Sequence, residues 1–360
     1  MQILFGIQTT GHGHLVRSSA MVSRLRELGH EVHALFSGPP VADVWLERTG
    51  EPYSICRGLT FVHDQGRVRY VATTLQLKLL RFVRDVFRYP VRDYDLVISD
   101  YEPVTAYMGL LRRVPTIGIS HLYAFSHNSV PTAQGNLLTN TILKAFAPAS
   151  IPLGAHWDPF GAPILPPILT PEIIDLKRGP VEQDLVLVYL NFEDIDEVLG
   201  LLQRFPRHRF RYFAKVGEGF RRDNVEVLPI SRQTFLQDLS RCAGVFCNAG
   251  FSLPSEALHL GIKLLVKPLL VQVEQESNAL ALEQLGKGTV MYRLDADIMG
   301  RWLEAPAPQP MVFPDVNTHV IDWLHNGATE PVASLSARMW ELQRKGAAAA
   351  EASGLLQQAS

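Results

Sequence analysis

Residues 245–278 read VFCNAGFSLPSEALHLGIKLLVKPLLVQVEQESN, and this stretch decides the fold. It predicts strand, loop, helix, strand, loop and helix, because short apolar runs alternate with breaks of Asn, Gly, Ser and Pro. The first strand ends at Asn248 and the first helix opens at Ser252. The second strand, residues 264–266, leads to a helix that begins near Ser277. This alternation predicts a parallel sheet, which binds ligands at the carboxyl ends of its strands.

The helix that opens at Ser252 predicts an anion site. A helix N-terminus presents unpaired backbone N–H groups and the positive end of the helix dipole, which suits a phosphate or diphosphate. Gly250 lets the backbone approach such a ligand closely. Glu274 and Gln275 follow the second strand and are expected at the same crevice, just before the next helix. Taken alone, Glu256 in the first helical turn can simply complement the helix dipole.

The register of the whole stretch resembles the donor-binding signature of GT-B-fold nucleotide-sugar glycosyltransferases. The nearest relatives in this respect are the plant-type UDP-glycosyltransferases and the lipid II-forming N-acetylglucosaminyltransferase. Asn248 stands where the plant signature has His. The resemblance implies that Glu256 holds the ribose hydroxyls and that Glu274 and Gln275 grip the sugar. The donor-binding residues that it implies are Gly13, Asn248, Gly250, Ser252, Ser255, Glu256, Glu274, Gln275 and Asn278.

Length and composition favour two domains and exclude several partners. The 360 residues, 47% of them hydrophobic, exceed one ordinary domain and fit two. A net charge of −2 without a basic block argues against nucleic acid. Cys56, Cys242 and Cys247 lack metal or CxxC spacing and suit a reducing cytoplasm. Without a charged leader or a run of about twenty apolar residues, the sequence predicts a cytoplasmic protein.

Proline and glycine cluster in residues 151–171, where neither helix nor strand is expected to continue. We therefore predict α/β domains at residues 1–155 and 181–330, joined by a linker at 156–180. The resemblance implies GT-B architecture, in which two Rossmann-like parallel-sheet domains face a cleft. The first domain takes the acceptor side, and the second binds the nucleotide sugar. Residues 331–360 are implied to form a helix, over 332–344, that packs back on the first domain, and an alanine-rich tail.

A glycine-containing loop, residues 9–14 (TTGHGH), separates the first strand from an amphipathic helix. It resembles the glycine-His loop of the same superfamily, and the interval from His14 to Gly29 matches the family's spacing. The resemblance therefore implies His14, rather than His12, as the catalytic base. Asp100 follows a buried strand and resembles the acidic partner of that base, although Asp is also a common helix cap.

His12 and His14 also permit a zinc pair. No Cys, third His or carboxylate lies at a recognisable ligand spacing nearby, so proton transfer is favoured. The sequence thus predicts no metal and no cofactor besides the nucleotide-sugar co-substrate.

His121, Tyr123 and Phe125 follow the strand at residues 115–120 and are expected on the rim that faces the acceptor. Their rings suit an apolar or ring-bearing acceptor, and packing is an equally open role.

Residues 74–88, TLQLKLLRFVRDVFR, predict a helix with one apolar and one basic side. Basic amphipathic helices can lie on anionic membranes, which suggests peripheral contact at the inner membrane face. A solvated basic face on a core helix is the commoner outcome. The apolar side would consist of Leu75, Leu79, Phe82, Val83 and Val86, and the basic side of Lys78, Arg81, Arg84 and Arg88.

Together these features predict an inverting glycosyltransferase. It would move a sugar from a nucleotide diphosphate sugar, a UDP-sugar in the first place, to a hydroxyl of a small-molecule, glycan or lipid acceptor. Retaining relatives carry a Glu near the position of Asn248 or Ala249, and its absence favours inversion. A nucleotide-sugar epimerase of the same fold and a non-catalytic nucleotide-sugar-binding protein are the alternatives.

Overall fold

The computed structural model describes residues 1–10, 12–59, 63–64, 67–68, 72–89, 91–133, 145–270 and 272–358. Two sheets organise these residues, each with core clusters on both faces, and a small hairpin accompanies them. The predicted pair of parallel α/β domains is confirmed.

The first half of the chain supplies one sheet and its helices. The elements are β1 (Gln2–Gln8), α1 (His12–Glu27), β2 (Glu31–Ser37), α2 (Asp43–Thr49), β3 (Tyr53–Cys56), the hairpin β4 (His63–Asp64) and β5 (Arg67–Val68), α3 (Ala72–Arg88), β6 (Leu96–Asp100), α4 (Pro103–Arg112), β7 (Thr116–Ile119) and β8 (Ile151–Leu153). Short 3-10 helices span Val91–Asp93 and His121–Ser126. The sheet order is β3-β2-β1-β6-β7-β8, and all its pairings are parallel.

The second half supplies the other sheet. Its elements are α5 (Pro171–Ile174), β9 (Glu182–Tyr189), α6 (Ile195–Leu202), β10 (Arg209–Ala214), β11 (Phe220–Arg222), β12 (Val225–Pro229), α7 (Arg232–Leu239), β13 (Cys242–Asn248), α8 (Ser252–His259), β14 (Lys263–Lys267), α9 (Val273–Leu285), β15 (Thr289–Val290), α10 (Ala296–Glu304), α11 (Val316–His325) and α12 (Val332–Gln358). The sheet order is β11-β12-β10-β9-β13-β14-β15, and only the β11–β12 pairing is antiparallel.

Burial on both faces explains the apolar strand sequences. In β1 every residue after Gln2 is buried, because β2 and β6 flank it and helices cover both faces. The apolar stripe of α1, including Met21 and Leu25, packs in the same core as Ile3 and Phe5. The site therefore rests on two rigid sheets, with its loops at their carboxyl edges.

The chain returns to the first core earlier than expected. Val316, Val320 and Leu324 of α11 pack in the core of the first sheet, so the crossing begins at α11 rather than at residue 331. The proline-rich connection at 305–315 precedes it. Ser336 Oγ and Trp340 Nε1 of α12 donate hydrogen bonds to the Ile164 carbonyl at 2.6 and 2.7 Å. The last helix also continues to Gln358, beyond the expected end at 344.

Three boundaries differ from the expectations in ways that matter for the site. Helix α1 begins at His12, which puts His14 in its first turn rather than on a loop. Helix α9 begins at Val273, so Glu274 and Gln275 belong to its first turn, where acidic residues complement the dipole. Strand β8 lies inside the proline-rich stretch. It is an edge strand, a position that tolerates Pro152 because an edge needs fewer ladder hydrogen bonds.

Candidate active site

The starts of α1 and α8 meet where the carboxyl edges of the two sheets face each other. A Cβ added at Gly13 would lie 2.5 Å from Ser252 Oγ, so only a glycine fits this approach without a shift. Helix α1 follows β1 and helix α8 follows β13. The crevices of the two sheets therefore form one cleft between the domains.

His14 and Asp100 form a hydrogen-bonded pair on the first-domain wall of this cleft. Asp100 is the last residue of β6, next to β1, and His14 Nδ1 lies 2.9 Å from its Oδ1. The Asp100 side chain is 1% exposed and that of His14 25%. Because an ionised carboxylate only accepts hydrogen bonds, Nδ1 is the donor to Asp100, and Nε2 is the ring nitrogen that remains for another partner.

Two further side chains of α1 hold Asp100. Arg17 Nη2 donates to the Oδ1 that His14 contacts, and Ser18 Oγ donates to Oδ2 at 2.5 Å. Burial raises the pKa of Asp100, but the charges of Arg17 and His14 outweigh it and hold the pKa at about 2. Sequence reasoning missed both residues. Their spacing of three and four from His14 was the available signal, once the helix is known to include His14.

The first turn of α9 faces this pair from the second domain. Burial raises the pKa of Glu274, and a positive charge on His14 opposes that rise. Gln275 is buried, and its Oε1 accepts a hydrogen bond from Leu269 N at 3.0 Å. Glu274 is thus the member of the predicted sugar-binding pair whose pKa responds to a charge on His14, while Gln275 bonds to the backbone.

The N-terminus of α8 is open toward the cleft. Its N-cap residue, Phe251, makes no side-chain capping bond, and nothing lies within 4 Å of a Cβ added at Gly250. The first N–H groups, those of Ser252 and Leu253, lie in the turn that an α-helix leaves unpaired. This arrangement can hold a diphosphate.

Two predicted donor residues use their polar groups inside the protein. Ser255 is buried, and its Oγ accepts from Trp157 Nε1 at 2.8 Å and donates to a backbone carbonyl one turn earlier. Asn248 Nδ2 donates to Lys267 O at 3.2 Å and to Glu193 Oε1 at 3.3 Å. In this structure both side chains therefore shape the diphosphate loop, and donor contact by them stays a prediction.

Glu256 is buried and paired with an arginine. Arg232, the first residue of α7, contacts both carboxylate oxygens, at 3.1 and 3.2 Å. The Nε of Arg232 lies 3.6 Å from Glu172 of α5, and Arg48 of α2 contacts the same carboxylate at 2.9 Å. Arg48, Glu172, Arg232 and Glu256 thus form a row of alternating positive and negative charges, which runs from the first domain to the predicted ribose-binding residue.

His121 and Asn278 join the two domains. His121 Nε2 lies 2.8 Å from Asn278 Oδ1, and Asn278 Nδ2 donates to Ala249 O at 2.9 Å. The His121 ring stacks on Phe251 with centroids 3.8 Å apart. Burial lowers the pKa of His121 to about 4, so it is neutral at physiological pH. Asn278 therefore fixes the loop before α8 against the first domain.

The aromatic residues expected on an acceptor rim are buried instead. His121, Tyr123 and Phe125 lie in a 3-10 helix that turns into the protein, and each is less than a tenth exposed. Tyr123 Oη donates to Ala147 O at 2.8 Å. Tyr123 and Phe125 also line a cavity together with His127 and Asn128, so acceptor contact by them stays a prediction beside the packing role.

Among the described residues, no group of three His, Cys, Asp or Glu side chains is arranged to hold a metal ion. The His12 side chain lies outside the described set, so the zinc-pair alternative stays untested.

A family model described as glycosyl transferase family 1 matches residues 1–306, which include both walls of the cleft. Several solved structures are similar. MurG of Acinetobacter baumannii has a TM-score of 0.53 and 15% identity, over 90% of this chain and 99% of that chain. The calicheamicin glycosyltransferase CalG4 has a TM-score of 0.57 and 17% identity, over 95% and 98%. The glycosyltransferase VinC in complex with dTDP has a TM-score of 0.54 and 13% identity, over 96% and 100%. No curated protein sequence matches. The expected GT-B fold is confirmed.

Proposed function

Because the chain belongs to glycosyl transferase family 1, we propose that it is an inverting glycosyltransferase that moves a sugar from a UDP-sugar to a hydroxyl-bearing acceptor. The observation that carries this proposal is the His14–Asp100 pair, set opposite the open N-terminus of α8. A base and a diphosphate site on opposite walls of one cleft are what direct displacement requires.

In the proposed reaction, the acceptor hydroxyl attacks the anomeric carbon while His14 Nε2 takes its proton. A bond forms between the anomeric carbon and the acceptor oxygen, and the bond to the diphosphate oxygen breaks. Asp100 stabilises the imidazolium that develops, since its carboxylate is ionised and fixed by Arg17 and Ser18. Attack from the face opposite the leaving group inverts the anomeric centre.

The leaving nucleoside diphosphate carries the electron pair of the broken bond. In this proposal the N–H groups of Ser252 and Leu253 and the dipole of α8 offset its charge, with no metal ion required. Glu256 holds the ribose, and Glu274 and Gln275 contact the sugar. The raised pKa of Glu274 suits a carboxyl group that hydrogen-bonds sugar hydroxyls in a dry cleft.

One experiment separates this function from its alternatives. The protein is incubated with UDP- and dTDP-sugars alone and then with sets of hydroxyl acceptors, and products are followed by mass spectrometry and NMR. A transferase consumes donor and forms an inverted glycoside only with acceptor. An epimerase changes the donor sugar unaided, and a binding protein does neither, so either of those results would reject the proposal.

We also propose that α3 docks on an anionic membrane surface. The expected apolar side of this helix is only partly buried, because Phe82 and Val86 pack inward while Leu79 and Val83 face solvent. Leu80 and Phe87 are 71% and 63% exposed. Among the predicted basic residues, Arg81, Arg84 and Arg88 are exposed beside them, and the Lys78 side chain lies outside the described set.

Helix α4 extends this surface. Leu110 and Leu111 are more than half exposed, and the Arg112 guanidinium lies 5.4 Å from the Phe87 ring centre. Apolar side chains surrounded by arginines complement a lipid surface with anionic headgroups. No helix in the described part of the chain is long and apolar enough to span a bilayer. The proposed location is the cytoplasmic face of a membrane, where a lipid acceptor would be presented.

A further inference from the structure

The contact between Arg232 and Glu256 has the geometry of a paired fork. Each terminal nitrogen of the guanidinium faces one carboxylate oxygen, at 3.1 and 3.2 Å, and the Glu256 residue is only 7% exposed. Such bidentate pairs fix the plane of the carboxylate as well as its position. An ionised Glu256 in this plane keeps one lone pair on each oxygen for another donor.

The position of Arg232 is costly for its own helix. It is the first residue of α7, where the positive end of the dipole disfavours a cation. Ser231 already caps that helix by accepting from Thr234 N. Helix formation therefore gives no reason for an arginine here, whereas the carboxylates beside it do.

The guanidinium of Arg232 also lies beside a second carboxylate. Its Nε lies 3.6 Å from Glu172, which Arg48 contacts at 2.9 Å from the first domain. The two carboxylates thus orient the guanidinium, with both terminal nitrogens turned to Glu256 and Nε turned to Glu172. We conclude that Arg232 acts through Glu256.

We propose that Arg232 is a positioning residue that aligns Glu256 to accept one hydrogen bond from each ribose hydroxyl, and so selects ribonucleotides over 2′-deoxyribonucleotides. This inference rests on the proposed function, because it concerns the nucleotide half of the donor. Two fixed oxygens with one lone pair each match two neighbouring hydroxyls. A nucleotide that lacks the 2′ hydroxyl leaves one buried oxygen unmatched, which costs affinity.

The charge of Arg232 has a second effect on Glu256. Burial raises the pKa of Glu256, and Arg232 opposes that rise. Removing the guanidinium therefore raises the pKa further, so the carboxylate protonates at higher pH. A protonated carboxyl has one acceptor oxygen fewer, so the affinity for a ribonucleotide is lost as pH falls, and in such a variant this loss begins at a higher pH than in the unchanged protein.

The test compares UDP with dUDP, which differ only at the 2′ position, by calorimetry between pH 5.5 and 8. In the unchanged protein we expect UDP to bind roughly tenfold to a hundredfold more tightly, as for one hydrogen bond to a charged group. Arg232→Gln should lose most of this preference, and on acidification its affinity for UDP should begin to fall at a higher pH than that of the unchanged protein. Arg232→Lys, which keeps the charge but not the fork, should restore the pH profile and only part of the preference.

Arg241→Gln is the matched control. Arg241 pairs with Glu182 and Asp238 near the amino end of β13, away from the cleft, so its loss should leave both nucleotides' affinities unchanged. An Arg232→Gln variant that melts lower but keeps its UDP preference and pH profile would show a purely structural role and overturn the inference. If Glu256→Ala loses its affinity for UDP while both Arg232 variants keep theirs, the inference about Arg232 is rejected and the proposed function stands. If the unchanged protein binds neither nucleotide, the proposed function falls with it.

Discussion

His14 Nδ1 and Asp100 Oδ1 lie 2.9 Å apart, although 86 residues separate them in the chain. The parallel pairing of β1 with β6 brings them together, because both residues follow the carboxyl ends of neighbouring strands. The parallel sheet therefore positions the proposed base and its partner, and His14 and Asp100 can be tested by separate substitutions.

His14→Ala should lower turnover by about a hundredfold to ten-thousandfold, the usual contribution of a positioned general base. Affinity for the nucleoside diphosphate should stay unchanged, since its site lies on the second sheet. Initial rates with the identified acceptor, together with calorimetry of UDP, check both points. His12→Ala is the neighbouring control and should cost far less. Near-normal turnover in His14→Ala, or a product with retained anomeric configuration, would reject the mechanism.

Glu256→Ala should weaken UDP binding by about 1.5–3 kcal/mol, the range for hydrogen bonds to a charged group. The variant also leaves Arg232 without its bidentate partner, so thermal melting must be recorded beside the titration. Glu182→Ala removes a carboxylate from the exposed pairs with Arg209 and Arg241 and serves as control. Equal UDP affinities in Glu256→Ala and the unchanged protein would remove the ribose assignment.

The sequence predicted the two sheets, the cleft and the His14–Asp100 pair, because these depend on strand ends and on one extended motif. It missed Arg17 and Ser18, because the helix was expected to begin after His14. Residues three and four positions after His14 share a face with it only if His14 belongs to the helix. It also missed Arg232 as the partner of Glu256. That contact joins α7 and α8, which follow β12 and β13, and two other strands separate β12 from β13 in the sheet, so no local sequence pattern relates the two residues.

Burial was harder to predict than position. His121 was expected to face the acceptor, yet it stacks on Phe251 across the domain boundary. Periodicity gives the apolar side of α3 but not how much of it the core covers, so the exposure of Leu79 and Val83 could not be predicted from the sequence. The packing of Val316 in the core of the first sheet was missed for a similar reason, since the apolar pattern of an amphipathic helix does not show which domain the helix packs on.

The docking surface on α3 and α4 should bind vesicles that contain anionic phospholipid at low salt. Each arginine near the surface contributes about 1 kcal/mol, so binding should fall as salt screens the charges. Combined Leu80→Ser and Phe87→Ser substitution should abolish co-sedimentation, because it removes the most exposed apolar side chains of the helix. Val181→Ser and Phe220→Ser, at exposed apolar sites of the second domain, form the matched control. If the unchanged protein does not bind these vesicles, the docking proposal is rejected, and the basic side of α3 is simply a solvent-exposed face.

Asp100→Asn should destabilise the fold by about 3 kcal/mol, because it leaves the buried Arg17 without its charged partner. The pH dependence has a definite sign. The folded pKa of Asp100 is about 2, below the ordinary value of 3.8, so its stabilising charge is fully present above about pH 4 and is lost as pH falls toward 2. Urea unfolding at pH 7, 4 and 3 should therefore show the difference between the two proteins shrinking at the acid end. A difference that stays constant over this range would contradict the assignment of the low pKa.

Gly13→Val should impair catalysis by holding the cleft open. A Cβ at this position would lie 2.5 Å from Ser252 Oγ and 3.4 Å from Ser252 Cβ, so Ser252 must turn aside, and we expect the added γ methyl groups to press the starts of α1 and α8 apart and move His14 away from the anomeric carbon. Misplacement by about 1 Å can cost on the order of a hundredfold in rate. Ser252→Gly removes the opposing hydroxyl and should recover part of that loss in the double variant, which makes the two substitutions strongly non-additive. Gly179→Val, where nothing lies within 4 Å, is the control for valine replacing glycine. Steady-state kinetics of the four proteins in this cycle measure the coupling, and purely additive losses would mean that the two helix starts do not meet during the reaction.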